Sequence, residues 1–249
     1  MKRASLLLLL PVLSMLLVDE AEGKRGPCPP AMSFVDALKT PYCIDRYEGS
    51  TVEIVGEKGV PHSPYEAVTG KRVKAQSKVG VIPQAHISRN EAEAACKLAH
   101  KRLCTEEEWV TACKGENPTK FPYGDERKPK LCNDHGTAPL PRICPGADEA
   151  TMFGPECMND PRLNQQSHTL AKTGAHEKCK NSFGVFDMVG NVHEWVADPN
   201  GTFRGGYYLD TTLNGEGCNY RTDAHDATYH DYSTGFRCCA DLPSSGGKK

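Results

Sequence analysis

The stretch 181–195, NSFGVFDMVGNVHEW, places two acids, Asp187 and Glu194, on either side of Gly190 within a run of large apolar side chains. The acids offer carboxylate oxygens, and the glycine lets the backbone turn so that neighbouring carbonyls face one way. Calcium is held by that mixture of carboxylate and main-chain oxygens. The same residues also read as a buried strand and turn carrying a solvated acid, and the segment alone leaves both readings open. A second run, Asp223 to Asp231, holds His225 and His230 around Tyr229, with Asp226 and Asp231 beside them. Two histidines and a carboxylate can bind a non-haem iron; the competing reading is a polar surface loop between strands. His193, next to Glu194, is either a general base or a packed side chain. No Gly-x-Ser-x-Gly, His-Glu-x-x-His or glycine-rich phosphate loop occurs.

These residues need elements to position them. Ser88-Arg-Asn-Glu91 is a capping box and predicts a helix whose inner face carries Ala92, Ala95, Cys96 and Ala99. Thr105-Glu-Glu-Glu108 is a second box, predicting a helix that turns Trp109, Ala112 and Cys113 inward and stops at Gly115. Its three first-turn acids suit the helix dipole. Residues 42–48 alternate as a strand does, and 203–208 and 235–239 read as short strands closing a sheet. Residues 24–40 read as a lead-in rich in Pro and Gly, and 49–85 show no sustained period. Residues 115–180 read as long loops held by bridges, because loops of that length are otherwise uncommon in a compact domain. No internal repeat is present.

The chain has 249 residues and opens with a basic start followed by the apolar run 4–18. Ala21-Glu22-Gly23 then supplies small residues at a cleavage spacing, so residues 1–23 are expected to be a secretory signal, with no membrane insertion after its removal. Its loss removes Lys2, Arg3, Asp19, Glu20 and Glu22 and leaves 28 basic against 29 acidic side chains. Such a balance gives no electrostatic case for nucleic acid. All 12 cysteines lie beyond the signal, which predicts disulfides and a secreted, periplasmic or extracellular protein. Adjacent Cys238 and Cys239 are expected to bond elsewhere rather than to each other. Asn200-Gly-Thr202 is a glycosylation sequon, and the tail 243–249 is expected to be disordered.

Several blocks come in one order: Cys43-Ile-Asp-Arg-Tyr-Glu48, Glu91 to Cys96, Lys101 to Trp109, Tyr123-Gly-Asp125, Phe183 to Trp195, Arg204-Gly-Gly206 and Gly235-Phe-Arg237. Together they resemble the formylglycine-generating enzyme, or sulfatase-modifying factor, domain. The resemblance implies one α+β domain over 41–242, C-type-lectin-like, rich in disulfides and poor in regular secondary structure. It implies a calcium site at the Asp187 and Glu194 side chains and the Gly190 and Val192 carbonyls. It implies a less complete one at Asn133 and Asp134, with Asn164 taken as the next ligand. It also implies bridges Cys96–Cys238 and Cys113–Cys218; for Cys28, Cys43, Cys104, Cys132, Cys144, Cys157, Cys179 and Cys239 too many pairings remain.

The likeness fails where that family oxidises a substrate cysteine, using two closely spaced cysteines that bind copper(I). Both are expected between Gly206 and Cys218, and residues 207–217 hold no cysteine. Soft thiolates are what copper(I) needs, so copper is not expected. Related sulfoxide synthases use iron on this fold with ligands largely from an added helical domain; no such domain is expected here, which leaves the His225 and His230 pair. The expectation is a secreted, calcium-stabilised, divergent or non-catalytic member that binds an unidentified protein or small molecule around Tyr207–Tyr232. The alternative is an oxygen-dependent oxidoreductase acting on a protein cysteine or small thiol.

Overall fold

The computed structural model describes residues 27–242; the expected signal and tail lie outside them. The lead-in is more ordered than its composition suggests. Met32–Val35 forms β1, antiparallel to β2 at Tyr42–Asp45, and the Cys28–Cys43 bridge fastens the start of the segment to β2. Met32 and Val35 are buried, and apolar burial overrides the local Pro and Gly content.

Residues 49–85 also hold more structure than their pattern indicates. β3 (Gly49–Val55), β4 (Lys58–Pro61) and β5 (Val73–Ser77) form an antiparallel sheet in the order β4-β3-β5. β4 is exposed at every position, and β3 alternates only over its first half. A strand that buries little leaves little periodic signal.

The two capping boxes are formed. α1 (Arg89–Leu98) starts at Ser88, whose hydroxyl accepts the Glu91 N–H while the Glu91 carboxylate accepts the Ser88 N–H. β6 (Arg102–Leu103) follows, and then α2 (Glu106–Lys114), capped by Thr105 and Glu108 in the same way. α2 ends at Gly115, which adopts φ 77°. The middle of the chain holds three helices of four residues each, α3 (Leu140–Ile143), α4 (Glu149–Met152) and α5 (Pro155–Met158). The bridges Cys132–Cys179 and Cys144–Cys157 lie within this stretch.

The C-terminal third builds a second four-stranded sheet from β7 (His193–Trp195), β8 (Phe203–Arg204), β9 (Arg221–Thr222) and β10 (Thr234–Phe236), in the order β10-β7-β8-β9. β11 (Cys238–Asp241) then joins the first sheet, ordered β1-β2-β11-β6. The chain therefore changes sheets at Arg237. Successive side chains of a strand point to opposite faces. Accordingly Cys238 bonds to Cys96 of α1 in one apolar core, while Cys239 bonds to Cys104 in the other. Cys113 of α2 bonds to Cys218. These three bridges span 142, 135 and 105 residues and tie the helical half to the C-terminal strands. The architecture is α+β with little helix.

Candidate metal centre

Asp187, Gly190 and Asn191 all adopt left-handed backbone, with φ of 58°, 84° and 61°. The backbone bends over 189–192 just ahead of β7, and the Asp187, Gly190 and Asn191 N–H groups bond to distant carbonyls rather than to one another. Glycine is required at 190, because a Cβ there would lie 2.3 Å from the Asn133 carbonyl oxygen. That carbonyl accepts the Asn191 N–H at 2.9 Å. The Asn133 amide donates to Asn191 Oδ1 at 2.8 Å and to the Thr169 carbonyl. The regions of the two expected calcium sites are thus joined through Asn191.

Glu194, on β7, is buried and fully engaged. Arg237 meets it with two parallel bonds, Nε to Oε2 and Nη2 to Oε1, each 2.7 Å. The Trp109 indole donates to Oε2 at 2.6 Å. Arg237 completes its contacts on the carbonyls of Asp45 and Phe186. Asp187 accepts the Gly174 N–H at 2.6 Å. Glu48, which sequence reasoning did not assign to the site, receives the Asn191 amide at 2.7 Å on Oε2, while its buried Oε1 has no hydrogen-bond partner.

The electrostatics are unbalanced. Glu48, Asp187 and Glu194 are mutually repelling buried acids, and Arg237 is the cation facing all three. Burial, reinforced by the charges of Asp187 and Glu194, pushes the Glu48 carboxyl well up from its ordinary range. Burial likewise raises Asp187, to about 7, against the opposing Gly174 N–H and Arg237 charge. Fully ionised, the three carboxylates would outweigh the one guanidinium by two buried negative charges, so the raised proton affinities of Glu48 and Asp187 are one way the cluster sheds charge. A divalent cation has the charge to do this, and the bare Glu48 oxygen is the kind of atom it takes. Among the described residues no group of three His, Cys, Asp or Glu side chains converges well enough to hold a metal by itself. Arg237 and Trp109 already occupy Glu194, so a cation here would draw on Asp187 and Glu48, with the Gly190 and Val192 carbonyls as the family resemblance implies. The chemistry it would supply is charge neutralisation and cross-linking of the 187–194 segment.

The first calcium region fits less well. The Asp134 carboxylate answers Arg127 Nη2 at 3.0 Å and the Lys130 N–H. The Asn164 amide lies between the Tyr232 carbonyl and the Tyr208 hydroxyl. His225 and His230 go to different partners. His225 stacks on Tyr229 with ring centroids 3.7 Å apart, whereas His230 Nδ1 faces Asn159 Oδ1 at 2.8 Å. His193 packs among Phe203, Tyr207 and Tyr220, and burial pushes it down to about 3, so it is neutral.

The cleft around Tyr207–Tyr232 is more filled than expected. Tyr208 is 0% and Tyr232 4% exposed, packed with Leu140, Cys157 and Leu163. The Met158 carbonyl of α5 accepts the Tyr232 N–H at 3.1 Å. What stays open is a groove of about 380 Å³ beside Tyr229 and His230, walled by Phe153, Met158 and Asn159.

The sulfatase-modifying factor enzyme 1-like domain matches residues 35–242. The chain belongs to that family. It is similar to the formylglycine-generating enzyme of Bos taurus, 30% identical over 191 residues, covering 66% of this chain and 46% of that one. The formylglycine-generating enzyme of Thermomonospora curvata is 30% identical over 223 residues, covering 73% and 66%. The inactive C-alpha-formylglycine-generating enzyme 2 of Mus musculus is 26% identical over 170 residues, covering 64% and 49%. The chain thus spans about half to two thirds of the length of these relatives. Among solved structures, PvdO from Pseudomonas aeruginosa matches with TM-score 0.45 at 14% identity, covering 86% of this chain and all of that one.

Against this family background the cysteines stand out. All 12 are paired in six disulfides, and none is free. The stretch between Gly206 and Cys218 carries Tyr207, Tyr208 and Asp210 instead, with Asp210 capping its own turn through the Thr212 and Leu213 N–H groups.

Proposed function

We propose that this chain is a divergent, non-catalytic member of the sulfatase-modifying factor family. In this reading it is exported to a compartment that permits disulfides, is stabilised by calcium at the 187–194 segment, and binds a ligand through the groove at Tyr229 and His230. The observation that carries the reading is the absence of any free thiol: the six bridges use every cysteine. Copper(I) is held by soft thiolates, and residues 207–217, where the family's pair is expected, hold no cysteine, while every cysteine elsewhere is bridged. The similarity to inactive relatives in Mus musculus and Bos taurus supports the same reading. Export is supported by the six bridges. Among the described residues no helix is long and apolar enough to cross a membrane.

The test is incubation of the purified mature protein with copper(I), oxygen and a cysteine peptide carrying a sulfatase motif. Mass spectrometry is expected to show the peptide unchanged. Conversion of its cysteine to the aldehyde would sink the proposal.

A further inference from the structure

The six bridges are not equivalent in their access to solvent. Cys43, Cys96, Cys104, Cys113, Cys132, Cys179, Cys218, Cys238 and Cys239 are each at most 1% exposed. Cys28 and Cys144 are partly exposed. Cys28 is fastened to Cys43 inside the β1-β2-β11 sheet, where Cys43 pairs with Phe34 and Ala240. Cys144 and its partner Cys157 lie in no sheet. Cys144 follows α3, Cys157 belongs to α5, and their bond closes only 13 residues. Both line one open cavity of about 470 Å³, together with Thr151, Pro155, Glu156 and Asp160. None of the acid-cluster residues takes part.

We propose that Cys144–Cys157 is a thiol-exchange site, at which a thiolate entering this cavity forms a mixed disulfide with Cys144. The incoming sulfur attacks Cys144 Sγ, the more exposed of the two. The new S–S bond forms as the Cys144–Cys157 bond breaks, and Cys157 leaves as a thiolate that takes a proton from water. A second equivalent of thiol attacks the mixed bond, releases the disulfide of the two incoming thiols and leaves both cysteines reduced. Access governs such exchange, and exposed bridges are the labile ones. The other bridges hold the sheets and α1 and α2 while this one opens, so exchange does not require unfolding. Opening is transmitted inward, because Cys157 packs with Tyr208 and Tyr232, and the neighbouring Met158 carbonyl holds the Tyr232 N–H. This inference stands apart from the absence of copper chemistry, since it needs neither metal nor oxygen.

The experiment treats the full mature protein, without denaturant, with cysteamine, glutathione or a cysteine-containing peptide, then blocks free thiols and maps them by mass spectrometry. Cys144 and Cys157 are expected to become labelled about tenfold faster than any other pair, with far-ultraviolet circular dichroism unchanged. A C157S variant, which leaves Cys144 free, is expected to trap glutathione from glutathione disulfide as an adduct on Cys144. Reaction with the small thiols alone assigns the site to small molecules, and reaction with the peptide as well assigns it to protein cysteines. Earlier labelling of another bridge, or an intact Cys144–Cys157 until the protein unfolds, would overturn the proposal. A C144S/C157S variant that folds and loses all early labelling supports it, and persistent early labelling in that variant refutes it.

Discussion

At the scale of single residues, Arg237 and Glu194 form the most consequential pair. Both are buried, and the guanidinium meets the carboxylate through two bonds while the Trp109 indole takes a third. Removing one partner of a buried ion pair strands the other, at a cost of about 3–5 kcal/mol. In R237M the Glu194 carboxylate is stranded beside Glu48 and Asp187, so a loss within that range is expected in urea unfolding. Glu48 leads to a second expectation. If its bare oxygen meets a cation, calcium raises the melting temperature of the wild-type protein and a chelator lowers it. Saturation at a hundred times the dissociation constant would contribute about 2.7 kcal/mol. E48Q removes one acid of the repelling cluster, so the chelated variant is expected to be at least as stable as chelated wild type, with a smaller response to calcium. An equal calcium response in both proteins would remove Glu48 from the site. Asp187 and Glu194 were legible in the sequence because acids around a glycine turn announce themselves locally. Glu48 is 143 residues from Asn191, its hydrogen-bond partner, and only the fold brings them together.

At the scale of elements, the helices were the most readable part of the chain. Capping boxes are local chemistry: Ser88 with Glu91 and Thr105 with Glu108 satisfy end amides within four residues. The β3-β4-β5 sheet was harder to read: β4 buries nothing, β3 alternates only over its first half, and β5, whose burial does alternate, is five residues long. The lead-in strand β1 is likewise imposed by a partner, β2, and by the Cys28–Cys43 bridge. The long bridges fasten these elements together, and their contribution can be measured one at a time. Cys96–Cys238 joins α1 to β11 across 142 residues. In the chain-entropy picture a loop of that length contributes about 4–5 kcal/mol. The C96S/C238S protein is therefore expected to unfold at lower denaturant than wild type by that amount, less any residual order in its unfolded state. A loss below about 1 kcal/mol would show that α1 is held mainly by its apolar face, Ala92 and Ala95, rather than by the bond.

At the scale of the whole molecule, stability depends on keeping charge out of the interior, and acid tests this. His86 is fully buried in left-handed backbone at φ 51°, between the Asp231 carbonyl, which accepts its N–H, and Asn159 Oδ1, which faces its ring. Burial lowers its proton affinity below the ordinary value of 6.5, with the Asn159 contact and the Asp231 charge opposing and His230 assisting. Above pH 6.5 the side chain is neutral in both folded and unfolded chains and contributes no pH dependence. Below that value the unfolded chain takes up a proton that the folded chain resists, so stability falls as pH falls toward the depressed folded value. The buried acids Asp187 and Glu48 run the other way, because their raised affinities favour the folded state on acidification. A pH profile of wild type alone therefore mixes opposing slopes. Comparison with H86N isolates one of them: asparagine tolerates the left-handed backbone and does not titrate, while the acids are common to both proteins. The difference in unfolding free energy between wild type and H86N is expected to shrink as pH is lowered from 7.5 to 5. A difference that stays constant over that interval would mean that His86 protonates as readily in the folded protein as in the unfolded chain.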